Sequence, residues 1–139
     1  MRRIFLDTNI VIDLLCEREP WFDDVAKVFD LGAKGKVELY CSSLTFATAS
    51  YIMERKKMSA EDIFNDLRIL CNLCTPACVD AGVIGSALKS SFRDFEDALQ
   101  CYSAQTVSAD CIVTRNKKDF AYSAIPVYDL YEFLDLINN

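Results

Sequence analysis

The sequence predicts an α/β protein built on a parallel sheet with helices on both faces. Two observations carry this. Short apolar runs suited to strands buried on both faces recur along the chain, and stretches of helical periodicity separate them. Strands joined through helices return in the same direction by right-handed crossovers, which builds a parallel sheet. The length of 139 residues fits one domain, 1–139. With 52% hydrophobic and 26% charged residues the chain can bury a full core, and 4 Gly and 3 Pro leave little material for long linkers.

Taken in order, residues 4–6 (Ile-Phe-Leu) form the first strand, and Asp7-Thr8-Asn9 ends it. A short helix follows over 10–15, until Pro20-Trp21 breaks the chain. Apolar residues at 25, 26, 28, 29 and 31 predict a helix over 23–31, with Gly32 and Gly35 bracketing its end. Residues 37–41 read as the second strand. Ser42 and Ser43 are N-cap candidates for a helix to about Lys57, and Ser59-Ala-Glu-Asp62 opens the next one as a capping box. That helix runs towards Cys71. Pro76 marks a connection, with a very short strand around Cys78-Val79. Helices over 80–89 and 94–107 lead to a strand over 111–114, a polar turn at 115–118, a last strand over 125–128 and a closing helix over 130–137.

No apolar run approaches the roughly 18–20 residues that span a bilayer, and Asp7 and Asn9 interrupt the basic start before a signal-peptide core develops. A cytoplasmic protein without a membrane association is expected. The net charge of −6 argues against a broad electrostatic grip on nucleic acid, although a carboxylate cluster that binds a metal ion would itself add negative charge. Of the seven cysteines, Cys71, Cys74 and Cys78 have spacing that can ligate zinc, but the chain has no His to complete such a site. Buried reduced thiols are the expectation.

In open α/β sheets ligands bind beyond the carboxyl ends of the strands, and that rule selects the polar residues of interest. Asp7, at the tip of an apolar strand, is held rigidly and suits Mg²⁺ or Mn²⁺; the plainer alternative is a helix cap. Asp94-Phe-Glu96-Asp97 places three acids at a helix start. Capping and the helix dipole account well for Asp94 and only partly for Asp97, which precedes Ala98, Leu99 and Cys101 and therefore faces the protein. Thr114-Arg115-Asn116-Lys117-Lys118-Asp119 leaves the sheet on the same side. Its cations Arg115, Lys117 and Lys118 are either an exposed turn or phosphate contacts.

At these residues the chain resembles the PIN-domain family. The matching segments are Phe5-Leu-Asp-Thr-Asn9, Asp94-Phe-Glu-Asp-Ala-Leu-Gln100 and Asp110-Cys-Ile-Val-Thr-Arg-Asn-Lys-Lys-Asp-Phe120, in that order, and the resemblance covers essentially the whole chain. It implies a three-layer α/β/α sandwich with a central, mainly parallel sheet, a homodimer, and a metal-dependent ribonuclease. Bacterial members include VapC-type toxins that an antitoxin neutralises. By resemblance Asp7 is the family's first acid and Asp97 its third, with Asp119 or the neighbouring Asn116 as a fourth polar ligand. Asp7, Asp97 and Asp119 are thus expected to be catalytic and to hold Mg²⁺ or Mn²⁺. Thr8, Asn9, Thr114, Arg115, Asn116 and Lys117 are expected around the RNA.

One departure stands out. The family's second acid is usually a Glu in a pattern like Ser-x-x-Thr-x-x-Glu, and here Thr48 stands in its place, with Glu54 nearly two turns further on. Glu96, the immediate helical neighbour of Asp97, is expected to point away from it. The alternative function is therefore a weak or inactive PIN domain that binds RNA or a protein. A phosphatase-like enzyme with Asp7 as nucleophile is a further rival, but that chemistry wants a second Asp or a Lys nearby, and Asp7-Thr-Asn-Ile-Val lacks both.

Overall fold

The computed structural model describes residues 2–138, so Met1 of the basic start and Asn139 lie outside it. Strands β1 (Arg2–Leu6), β2 (Val37–Ser42), β3 (Thr75–Ala77), β4 (Cys111–Val113) and β5 (Val127–Tyr128) form one sheet in the order β3-β2-β1-β4-β5. Every neighbouring pair is parallel. The connections contain the helices α1 (Thr8–Leu15), α2 (Phe22–Ala33), α3 (Ser43–Arg55), α4 (Ala60–Leu73), α5 (Ala81–Lys89) and α6 (Phe95–Thr106), and α7 (Leu130–Asn138) closes the described chain. None of these helices is long and apolar enough to cross a membrane.

The period-two alternation of β1 divides the core between the two faces of the sheet. Ile4 and Leu6 point to one side, where Val25, Phe29, Leu70 and Phe133 from α2, α4 and α7 pack with Leu39 and Val113. Phe5 points to the other, against Cys101 and Ala104 of α6, Ile112 and Phe120. The result is the expected three-layer α/β/α sandwich. The chain works outward from β1 through β2 to β3, then returns to the far side of β1 for β4 and β5. Strand order reverses between β1 and β4, and a crevice opens beyond their carboxyl ends.

Several element boundaries differ from the sequence expectation for definable reasons. The short strand lies at Thr75–Ala77, ahead of Cys78-Val79, and it includes Pro76. On the sheet edge the missing proline N–H costs no ladder bond, so the residue that marked a connection sits inside a strand. Gly32 lies within α2, not beyond its end. A Cβ at Gly32 would come within 2.6 Å of Leu39 Cδ1, so this glycine serves the close approach of α2 to β2. Gly35, at φ +73°, makes the left-handed turn between them. The seven thiols are free: Cys41, Cys74, Cys101 and Cys111 are buried, Cys16 is half-buried, and Cys71 and Cys78 are exposed. The Cys71, Cys74 and Cys78 side chains are not gathered into a metal-sized group.

Candidate active site

Asp7 is fixed at the exit of β1 by three elements. Its backbone N–H donates to Val113 O of β4 at 3.0 Å. Its Oδ1 accepts from the Thr8 N–H at 2.8 Å, making it the N-cap of α1, and its Oδ2 accepts from Thr114 Oγ1 at 2.7 Å. The cap and the strand-end carboxylate are thus one residue in one conformation. Thr8 continues the network: its Oγ1 lies 2.9 Å from Thr45 Oγ1 of α3 and accepts from Gln100 Nε2 of α6 at 2.7 Å. Asp7, Thr8, Thr45, Gln100 and Thr114 are all buried. Buried polar groups hold their places only when paired, so these bonds lock α1, α3, α6 and the end of β4 around one carboxylate.

The recess in front of Asp7 has a volume of about 320 Å³, and Asp94, Glu96, Asp97 and Asp119 line it with Asn9, Arg18 and Thr48. Asp94 caps α6, its Oδ1 accepting from the Asp97 N–H at 3.0 Å. That bond uses the backbone of Asp97 and leaves its carboxyl to face the recess. Burial pushes the Asp97 carboxyl up to about 7, reinforced by repulsion from Asp94, Asp7, Asp119 and Glu96. Asp7 is also raised, chiefly by burial, and its bonds to Thr114 and Thr8 oppose that rise. The acids therefore share one field, and a cation or a proton between them is favoured.

The profile of the PIN domain family matches residues 3–118. The chain belongs to the PIN-domain family. Solved structures agree on the fold. VapBC2 from Rickettsia felis, bound to a DNA fragment from their promoter, has a chain 18% identical with a TM-score of 0.64, over 91% of this chain and 98% of that one. VapBC-1 from nontypeable Haemophilus influenzae gives 18% identity and a TM-score of 0.67, over 93% and 98%. FitAB bound to an IR36 DNA fragment gives 19% and 0.57, over 92% and 95%. Curated protein sequences give no significant match.

In this PIN domain the sequence-predicted residues divide into those that reach the recess and those that do not. Asp7, Thr8, Asn9, Asp97 and Asp119 line it. Of the alternatives Asn116 and Asp119, Asp119 faces the recess, while Asn116 donates its backbone N–H to Thr114 Oγ1 at 3.1 Å. Thr48, the residue expected in place of the family's Glu, lines the recess, and Glu54 faces a separate groove with Met58 and Phe64. Glu96, expected to point away from Asp97, also borders the recess. The first turn of α6 overhangs the crevice, so neighbouring side chains about 100° apart straddle it.

Two of the three expected phosphate contacts are engaged elsewhere. Arg115 Nε lies 2.8 Å from Asp13 Oδ2, and its guanidinium carbon sits 3.8 Å from the centre of the Trp21 ring. The Nε–H does not point along that approach, so the contact is an ion pair, with a hydrogen bond from Nη2 to Oδ1 at 3.3 Å. Asp13 is fully buried, and burial raises its carboxyl against the opposing pull of Arg115 and Arg18. Lys117 pairs with Glu132 of α7, Nζ to Oε1 at 2.9 Å. Lys118 alone of the three borders the acids, joined by Arg93. Sequence reasoning missed Arg18, Arg93 and Gln100. Only Gln100 carried a signal, since it follows Asp97 by three residues on the same helix face.

The donor set suits a hard divalent ion in kind: every side chain offered by Asp7, Asp97 and Asp119 is a carboxylate oxygen. Among the described residues no three acids are drawn into a single metal-sized cluster. An ion here would keep water in much of its shell, as Mg²⁺ commonly does.

Proposed function

We propose that this chain is a metal-dependent endoribonuclease in which Asp7, Asp97 and Asp119 hold Mg²⁺ or Mn²⁺ and RNA phosphodiesters are hydrolysed. The observation that carries the reading is the convergence of those three carboxylates, from β1, α6 and the turn after β4, on one recess at the switch point of the sheet. Bound there, the ion supplies Lewis acidity and the positive charge that a scissile phosphate requires. The protein's own part is preorganisation. Thr114 and the Thr8 N–H hold Asp7 in one orientation, and Gln100 and Thr45 hold Thr8. In the metal-free site burial and the neighbouring acids raise the Asp97 carboxyl to about 7, a charge conflict that a bound cation would relieve.

Comparing cleavage of several RNAs by the wild type and Asp7→Asn in Mn²⁺ tests this directly. Cleavage by the wild type and its loss in the variant are expected, and no cleavage by either removes the nuclease assignment. The second reading is a weak or inactive PIN domain that binds RNA or a protein. Thr48 favours it, because it brings no charge to the recess wall where a third carboxylate would stand. The solved neighbours carry the paired names VapBC and FitAB. On that parallel an antitoxin-type protein partner is proposed for this chain too, alongside a single-domain, cytoplasmic homodimer. Co-expression with the product of an adjacent reading frame, followed by co-purification, tests the partner.

A further inference from the structure

A second cavity adjoins the acidic recess and shares three of its acids. It encloses about 490 Å³, inside the roughly 300–1,000 Å³ span of small-ligand sites. Asp94, Asp97 and Asp119 form the wall it shares with the recess, and Arg93, Lys118 and Tyr122 line the remainder. Tyr122 is 62% exposed, yet its ring is braced. Its centroid lies 6.1 Å from that of Phe92, and Phe92 packs edge-on against buried Phe120 and against Tyr102, each at 6.4 Å. A lone exposed tyrosine is ordinary on a protein surface. This one has a braced ring and lines a cavity that also contains two cations, neither of which forms a salt bridge among the described residues.

The net charge of −6 gives little long-range attraction for a polyanion, so a strand must be held by short-range contacts. Aromatic stacking beside a few cations is how single strands are bound without sequence readout, because every base has a π-face. We infer that Tyr122, with Arg93 and Lys118, forms a nucleotide subsite that stacks one unstacked base of a single strand and aligns the neighbouring phosphate with Asp97 and Asp119. This rests on the RNA-hydrolysing reading of the recess and narrows its substrate to single-stranded segments. A base inside a duplex has both faces covered and cannot use the subsite.

The test is fluorescence anisotropy of a labelled ten-nucleotide RNA, its DNA counterpart and a duplex of the same sequence, in Mn²⁺, with strand integrity checked on a gel. Wild type should bind the single-stranded RNA more tightly than the duplex. Tyr122→Leu should weaken that binding roughly 5- to 100-fold, whereas Tyr122→Phe retains it. Equal binding of the DNA strand supports a subsite that ignores the sugar; weaker binding of DNA supports one that reads the ribose. Wild-type affinity in Tyr122→Leu, with an unchanged melting temperature, overturns the subsite while wild-type RNA cleavage leaves the nuclease reading intact. Preference for the duplex also overturns it. A wild type that neither binds nor cleaves any strand removes both.

Discussion

Replacing Asp97 with Asn should make the metal-free protein more stable at alkaline pH while abolishing its proposed chemistry. The carboxyl of Asp97 rises from an ordinary 3.8 to about 7 in the fold, first through burial and then through Asp94, Asp7, Asp119 and Glu96. A folded-state value above the unfolded one means that the folded protein retains its proton longer. Below pH 3.8 both states are protonated and the group has no effect. As the pH rises towards 7, the unfolded chain ionises first and stability falls; above about 7 the full penalty is present. That rise corresponds to at most about 4 kcal/mol. Asp97 is partly open to solvent and its neighbours can share the proton, so about 1–3 kcal/mol is the working figure. For a chain of this size it amounts to roughly 3–10 °C in melting temperature. Thermal melts in EDTA at pH 8 should show that gain for Asp97→Asn, and at pH 4 less than half of it. Adding Mn²⁺ should raise the wild-type melt at pH 8 and leave the variant nearly unmoved. A variant that melts with the wild type at pH 8, or gains equally at both pH values, refutes the repulsion account.

Two further substitutions probe the same site. Thr114→Val removes the hydroxyl that donates to Asp7 and leaves the Asn116 N–H without its acceptor, so a loss of about 1.5–3 kcal/mol in urea unfolding is expected. A change under about 0.5 kcal/mol, the range of ordinary surface substitutions, would count against that bond holding Asp7 in place. Thr48→Glu should tighten Mn²⁺ binding by about tenfold or more in calorimetry, since affinity for a hard cation grows with the number of charged ligands. It should also increase RNA cleavage. An unchanged Mn²⁺ affinity would show that position 48 lies too far from the ion to matter.

The layers of the fold were legible because they depend on local pattern. Apolar runs alternating with helical periodicity define an α/β sandwich whatever the details of packing; the strand-end rule then directed suspicion to Asp7, Asn116 and Asp119, and the apolar residues after Asp97 directed it there. What escaped was every feature set by a distant partner. Nothing near Arg115 reveals that Asp13, 102 positions earlier, will take its guanidinium. The same holds for Lys117 and Glu132. That Glu96 still borders the recess was not legible, because helical spacing fixes the angle between neighbours and not how far the helix end overhangs the crevice. The strand at Thr75–Ala77 has three residues and a proline, too little for a period of two to register.

Support for Asp7 extends past the stretch that carries the family likeness. The matched region ends at residue 118, yet the Thr114 N–H bonds Tyr128 O at 3.1 Å and the Ile112 N–H bonds Pro126 O at 2.9 Å. Phe133, fully buried, seals the core beneath. A fragment trimmed to the matched boundary would keep every acid of the recess except Asp119. It would also strip the outer ladder from β4, and with it the anchorage of the threonine that orients Asp7. The last strand and helix act as a buttress to the site, and a shortened version would lose its aim before it lost its remaining acids.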